Sequence, residues 1–161
     1  EWFCDTHPVR SMLDAGSGSG ILAVAAAKRG VRNIVAFDND PLCLESIRSN
    51  VERNGVAAAV RADLGDILHW EPDRRFDLVC ANLYAHLLIR AAPALCRAGR
   101  FLAVSGVREF EADDVADAMR RFGASEIVRD GDGEWCGMAF SLSSAEGSRT
   151  VPPSHGSGRS I

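Results

Sequence analysis

Three glycines at alternate positions, in the string Asp14-Ala15-Gly16-Ser17-Gly18-Ser19-Gly20, separate a short apolar run from an alanine-rich helical segment. Glycine lets the backbone turn tightly and lets a ligand lie against main-chain N–H groups, while the helix that follows presents its N-terminus to the same ligand. A strand, a glycine loop and a helix in this order restrict the chain to a ligand-binding α/β fold or to a tight structural turn that binds nothing. The spacing narrows the ligand. The dinucleotide fingerprint G-x-G-x-x-G needs its third glycine at position 21, which is Ile21, and here that glycine is Gly20. Asp14 would also lie close to a pyrophosphate, which is unfavourable, but suits a ligand carrying an ammonium group.

The rest of the chain repeats the alternation of apolar runs and helical patterns. Strands are predicted at Ser11–Leu13, Asn33–Phe37, Ala58–Ala62, Phe76–Ala81 and Phe101–Val104. Helices are predicted at Ile21–Lys28, from Pro41 to Asn54 with Asp40 as its cap, at Tyr84–Leu95 with a break at Pro93, and at Glu111–Phe122 with Val115, Met119 and Phe122 on one stripe. Ser125–Arg129 and Trp135–Leu142, joined by Asp130-Gly131-Asp132-Gly133-Glu134, read as a closing antiparallel hairpin with Trp135 packed beneath it. The expected architecture is a three-layer α/β fold around a mostly parallel sheet, occupying residues 1–142 as one domain. Residues 143–161, rich in Ser, Gly and Pro, read as a disordered tail.

Composition excludes several classes. Among 161 residues with a net charge of −4 there is no Lys/Arg block, which weighs against nucleic acid as the main partner. The longest strongly apolar run, Ile21–Ala27, is far short of a membrane span, and no secretory leader is visible. Five cysteines without a C-x-x-C pair suggest neither a disulfide framework nor a zinc site, and a reducing cytoplasm is the expected setting. Cys80 reads as a small buried hydrophobe.

Asp38 ends the second strand, where a carboxylate can accept both hydroxyl hydrogens of a ribose. With Asp14, Gly16, Ser17, Gly18, Gly20 and Asn39 it makes a candidate cofactor site. Asp66 and Asp63 compete for a place beside an adenine amino group. Asn82, at the end of the fourth strand, either orients a substrate or caps the next helix. Tyr84 either walls an acceptor site or is a half-buried aromatic, and His86 reads mainly as a solvated residue.

The acid-x-G-x-G-x-G loop resembles the first motif of class I S-adenosylmethionine-dependent methyltransferases. The runs LDAGSGSGILAVAAAKRG, VAFDNDPLCLESIRSNVERNGV and FDLVCANLYAHLL, with a late SG and GEWCGMAF, are similar to PrmA-type enzymes, which methylate the eleventh protein of the large ribosomal subunit. Asn82-Leu83-Tyr84-Ala85 stands where that family has N-I-L-A. The resemblance implies a Rossmann-like sheet with an antiparallel last strand, S-adenosyl-L-methionine as cofactor, Asp38 on its ribose, Asp66 near its adenine, and Asn82 and Tyr84 at the methyl acceptor. It implies transfer to a protein nitrogen, a lysine or an amino-terminal amine, on a possibly ribosomal substrate. Alternatives left open by the residues are a small-molecule acceptor, a cofactor-binding relic without activity, and a nucleotide-dependent oxidoreductase. The family's N-terminal substrate-gripping domain has no counterpart in this sequence, and Thr6-His7-Pro8 reads as a chance echo of a family T-H motif. Oligomeric state is not legible.

Overall fold

The structure, a computed structural model, describes residues 2–143. Helix α1 (Trp2–Thr6) leads into β1 (Ser11–Ala15), α2 (Ile21–Lys28), β2 (Asn33–Asp38), α3 (Pro41–Arg53), β3 (Val60–Leu64) and β4 (Phe76–Asn82). Then follow α4 (Ala85–Ala98), β5 (Gly99–Arg108), a 3-10 turn at Glu109–Glu111, α5 (Ala112–Arg120), β6 (Ala124–Gly131) and β7 (Trp135–Leu142). The seven strands form one sheet in the order β3-β2-β1-β4-β5-β7-β6. Neighbours among β1 to β5 are parallel, and β7 runs antiparallel to both β5 and β6. The expected closing hairpin is therefore present. Of the expected tail, only Ser143 is described; 144–161 lie outside the described residues.

Two apolar layers sandwich the sheet. On one face Ala23, Ala26 and Ala27 of α2 and Ile47 and Val51 of α3 pack over Met12, Ile34, Ala36 and Leu78. On the other, Leu88 and Leu95 of α4 and Val115 and Met119 of α5 cover Leu102, Val104, Met138 and Phe140. Strands β1 and β2 are buried without a break over residues 12–15 and 34–37 because both their faces are covered.

Local chemistry sets the helix starts. Asp40 Oδ1 accepts the Leu42 N–H at 2.9 Å and Pro41 opens α3, as its sequence predicts. At α2 the cap position is Gly20, which has no side chain to offer, and Asp14 of β1 accepts the Ala23 N–H at 3.1 Å in its place.

Five expectations need correction. Helix α4 runs through Pro93 without a break. A mid-helix proline costs roughly 3 kcal/mol, but burying Leu88 and Leu95 alone returns about 1.5–3 kcal/mol each. Phe122 is not on the buried stripe: α5 stops at Arg120, and the ring is 49% exposed in the turn beyond. Trp135 does not pack beneath the hairpin: it is 40% exposed at the start of β7, with the Arg108 guanidinium 4.0 Å above its ring. Cys80 is half-buried against the α2 and α3 layer. The third strand lies two residues later than predicted, which puts Asp63 inside it.

Candidate active site

The loop after β1 folds back over the end of β2. The N–H groups of Gly16 and Ser17 both donate to the Phe37 carbonyl at 3.0 Å, and the Ser17 hydroxyl donates to the same oxygen at 3.2 Å. Gly16, Gly18 and Gly20 have φ of 69°, 54° and 77°, a region that side chains resist. A Cβ on Gly16 would run into the Leu83 side chain, so only glycine lets the loop approach the end of β4.

Asp14 is 1% exposed, and its carboxyl is pushed up to about 7. Burial is the main cause, the nearby Asp38 adds to it, and the Ala23 N–H bond opposes it. Asp14 thus anchors α2 beneath the loop. Asp38 is half-buried at the end of β2, where it accepts the Gly18 N–H at 2.8 Å and the Asp40 N–H at 3.1 Å. Burial pushes the Cys43 thiol up, helped by the Asp38 and Asp40 carboxylates beside it.

Two cavities open at the carboxyl ends of the strands, where ligands of open α/β sheets bind. The first, of about 150 Å³, is lined by Gly16, Asp38, Asn39, Asp66, Leu83 and Leu87 among others. Asp66 accepts the Leu68 N–H at 2.9 Å and faces His69 Nδ1 at 2.9 Å, and these bonds hold its carboxyl below the usual range. Asp63 is instead paired with Arg61 at 2.9 Å. Of the two rivals it is Asp66 that borders the cavity.

The second cavity, of about 650 Å³, is lined by Asn82, Leu83, Tyr84, Leu87, Ser105, Gly106 and the start of β7. Gly106, at φ 80°, leaves room for the Asn82 amide: a Cβ there would lie 2.7 Å from Asn82 Oδ1. Asn82 does not cap the next helix, whose cap position is Tyr84 and carries no side-chain cap bond. Tyr84 is 68% exposed, with its ring stacked on His86 at 6.1 Å, so it walls the cavity and is not half-buried. Leu83 and Leu87 border both cavities and make them adjacent compartments.

Sequence reasoning brought Gly16, Asp38, Asn39, Asp66, Asn82 and Tyr84 to the cavities, with Ser17, Gly18 and Gly20 shaping the loop. Asp14 lies under the loop and lines neither. Missed were Leu83 and Leu87, which carry no signal of their own, and Trp135, which read as packed beneath the hairpin. Only the glycine after Ser105 carried a signal for its part of the wall.

The sheet order and the glycine loop define the Rossmann-like methyltransferase fold. A solved ribosomal protein L11 methylase from Lactobacillus delbrueckii subsp. bulgaricus superposes with a TM-score of 0.78 at 26% identity, over 85% of this chain and 71% of that one. The N-methyltransferase NodS from Bradyrhizobium japonicum, solved with S-adenosyl-L-homocysteine, shares the fold at a TM-score of 0.70 and 15% identity, covering 86% of this chain and 80% of that one.

Residues 5–142 match the family model of ribosomal protein L11 methyltransferase (PrmA), and the chain belongs to that family. The matched stretch takes in Thr6-His7-Pro8. The ribosomal protein L11 methyltransferase of Pelotomaculum thermopropionicum is 39% identical over 139 residues, covering 84% of this chain and 45% of the relative. That of Chloroflexus aurantiacus is 35% identical over 158 residues, covering 82% and 48%. The chain thus spans about half the length of the curated relatives it matches.

Proposed function

We propose that this chain binds S-adenosyl-L-methionine in the smaller cavity and transfers its methyl group to a protein nitrogen presented through the larger one. The observation that carries this reading is the common wall: Leu83 and Leu87 divide a cavity bordered by two carboxylates from one bordered by Asn82. The residues present fit the cofactor. Asp38 has about four lone-pair sites; the Gly18 and Asp40 N–H groups and the Cys43 thiol bond to it, leaving an acceptor for a ribose hydroxyl. Asp66 offers an acceptor for an adenine amino group. When bound, the cofactor supplies an electrophilic methyl on a sulfonium.

Alignment and exclusion of water are then the chain's contribution. An attacking amine must be neutral, and the Asn82 amide oxygen can accept one of its hydrogens and so aim the lone pair. Tyr84 limits how that amine enters. The names of the relatives make ribosomal protein L11 the first acceptor to test. Among the described residues no helix is long and apolar enough to cross a membrane, and a cytoplasmic setting accords with five cysteines that form no C-x-x-C pair.

Titration calorimetry with S-adenosyl-L-homocysteine tests the cofactor site. The folded chain is expected to bind, and Asp38→Ala to weaken binding by about 1–3 kcal/mol through loss of charge-assisted bonds. Absence of heat with folded protein would sink the cofactor reading. Mass-spectrometric gain of methyl groups on purified L11 tests the acceptor separately.

A further inference from the structure

We infer that the end of the sheet opposite the two cavities is a docking surface for the phosphodiester backbone of nucleic acid. In the parallel register Ser11 lies beside Asn33, and Phe76 beside Gly99. The strands β2, β1, β4 and β5 therefore begin along one edge. Five exposed arginines mark that edge: Arg10, Arg32, Arg74, Arg75 and Arg100. With neighbouring strands about 4.8 Å apart, they spread over about 15 Å, a span that meets several phosphates of a duplex.

Helices α2 and α3 end on the same side and add Lys28 and Arg53. Among the described residues none of these seven has a carboxylate ion-pair partner. Arg74 donates to the Asn33 side-chain oxygen at 3.0 Å and covers the Phe76 ring, and Arg75 donates to the Gly99 carbonyl. Those neutral partners fix the guanidinium groups and leave their charge uncompensated. Nearby acids are mostly engaged: Asp5 pairs with Arg29, Glu71 with Arg97, and Asp77 turns inward to accept the Arg10 and Ser11 N–H groups. The Asp77 carboxylate is still within electrostatic reach of the Arg10 guanidinium, and with Glu52 and Asp73 beside Arg53 and Arg74 it leaves three acids against the seven.

Helix dipoles explain cations in last turns, so Lys28 and Arg53 alone would imply nothing. They do not explain five arginines at strand starts, because a sheet has only a small net dipole. Arginine outnumbers lysine throughout the chain and so does not single out this edge, but the planar fork of each guanidinium here matches phosphate oxygens bidentately. A membrane surface fits less well: of the large exposed apolar residues described, Phe122 alone, in the turn between α5 and β6, lies at this end, whereas Ile21, Leu22, Leu42, Tyr84 and Trp135 lie toward the cavity end.

Fluorescence anisotropy of the full chain with labelled RNA and DNA duplexes of about 20 base pairs tests the inference, at about 50 and about 200 mM salt. Binding to one or both duplexes is expected, at least about tenfold weaker at the higher salt, and the duplex preferred names the natural source. Lys28→Glu/Arg32→Glu is expected to weaken binding at least about tenfold, and Arg10→Gln/Arg53→Gln severalfold. Arg48→Glu/Arg90→Glu, the same charge change on the helices away from that edge, leaves it within about twofold. Circular dichroism melting confirms that each variant is folded. No binding to either duplex at low salt, equal loss in all three variants, or binding only to phosphatidylserine vesicles would overturn the inference.

Discussion

Asp14 shows how one residue serves two demands at once. Its carboxylate satisfies a helix donor that Gly20 cannot reach, yet it is buried beside Asp38, and its carboxyl is pushed up to about 7. A folded pKa above the ordinary 3.8 means that the native state holds the proton more tightly than the unfolded chain. The associated stability is complete below about pH 4 and is lost as pH rises through 7. Asp14→Asn keeps an acceptor for Ala23 and removes the charge. Its stability relative to the parent should therefore improve by about 2–4 kcal/mol between pH 4 and pH 8. Urea denaturation at both pH values checks this, and identical pH dependence in the two proteins would refute it. The sequence made Asp14 a candidate partner for a ligand ammonium; its hydrogen bond to α2 was not legible, because the partner, Ala23, is defined only once the helix folds back.

At the scale of elements, punctuation was read well and packing poorly. Asp40, Pro41 and Gly20 mark helix starts by local chemistry, and these positions hold in the structure. Pro93 is local chemistry overruled: α4 buries Leu88, Ala91, Ala92 and Leu95 on both sides of it. If burial carries the helix through a defect, removing the defect stabilises it. Pro93→Ala should raise stability by about 1–3 kcal/mol by restoring an N–H and relieving the ring clash. Thermal melting decides, and a lower melting temperature would mean that the ring's own packing outweighs the backbone cost. Phe122 and Trp135 were misplaced for the converse reason. An aromatic in a periodic stripe or hairpin looks internal until the helix end and strand edge fix where it falls.

Across the whole molecule, the two apolar layers share one sheet, so neither opens without exposing strands that the other also covers. Cys96, buried between α4 and α5 against Met119, reports on this, its thiol pushed up to about 11 by burial. Alkylation of Cys96 should follow global unfolding and rise with urea as the melting transition does, whereas half-buried Cys43 reacts earlier. Equal rates in native buffer would show that the α4 and α5 layer opens alone. Charge behaves in the same collective way. The acidic total argued from composition against nucleic acid, but parallel strands gather their preceding arginines at one end, while Asp38, Asp66 and the hairpin acids Asp130, Asp132 and Glu134 lie at the other. The sequence by itself determined the glycine loop, the order of strands and helices and the acids that follow them, because spacing and turn chemistry are local. Only the tertiary structure decided which leucines divide the two cavities and which charges face together, because those depend on strand register and packing between residues far apart in the chain.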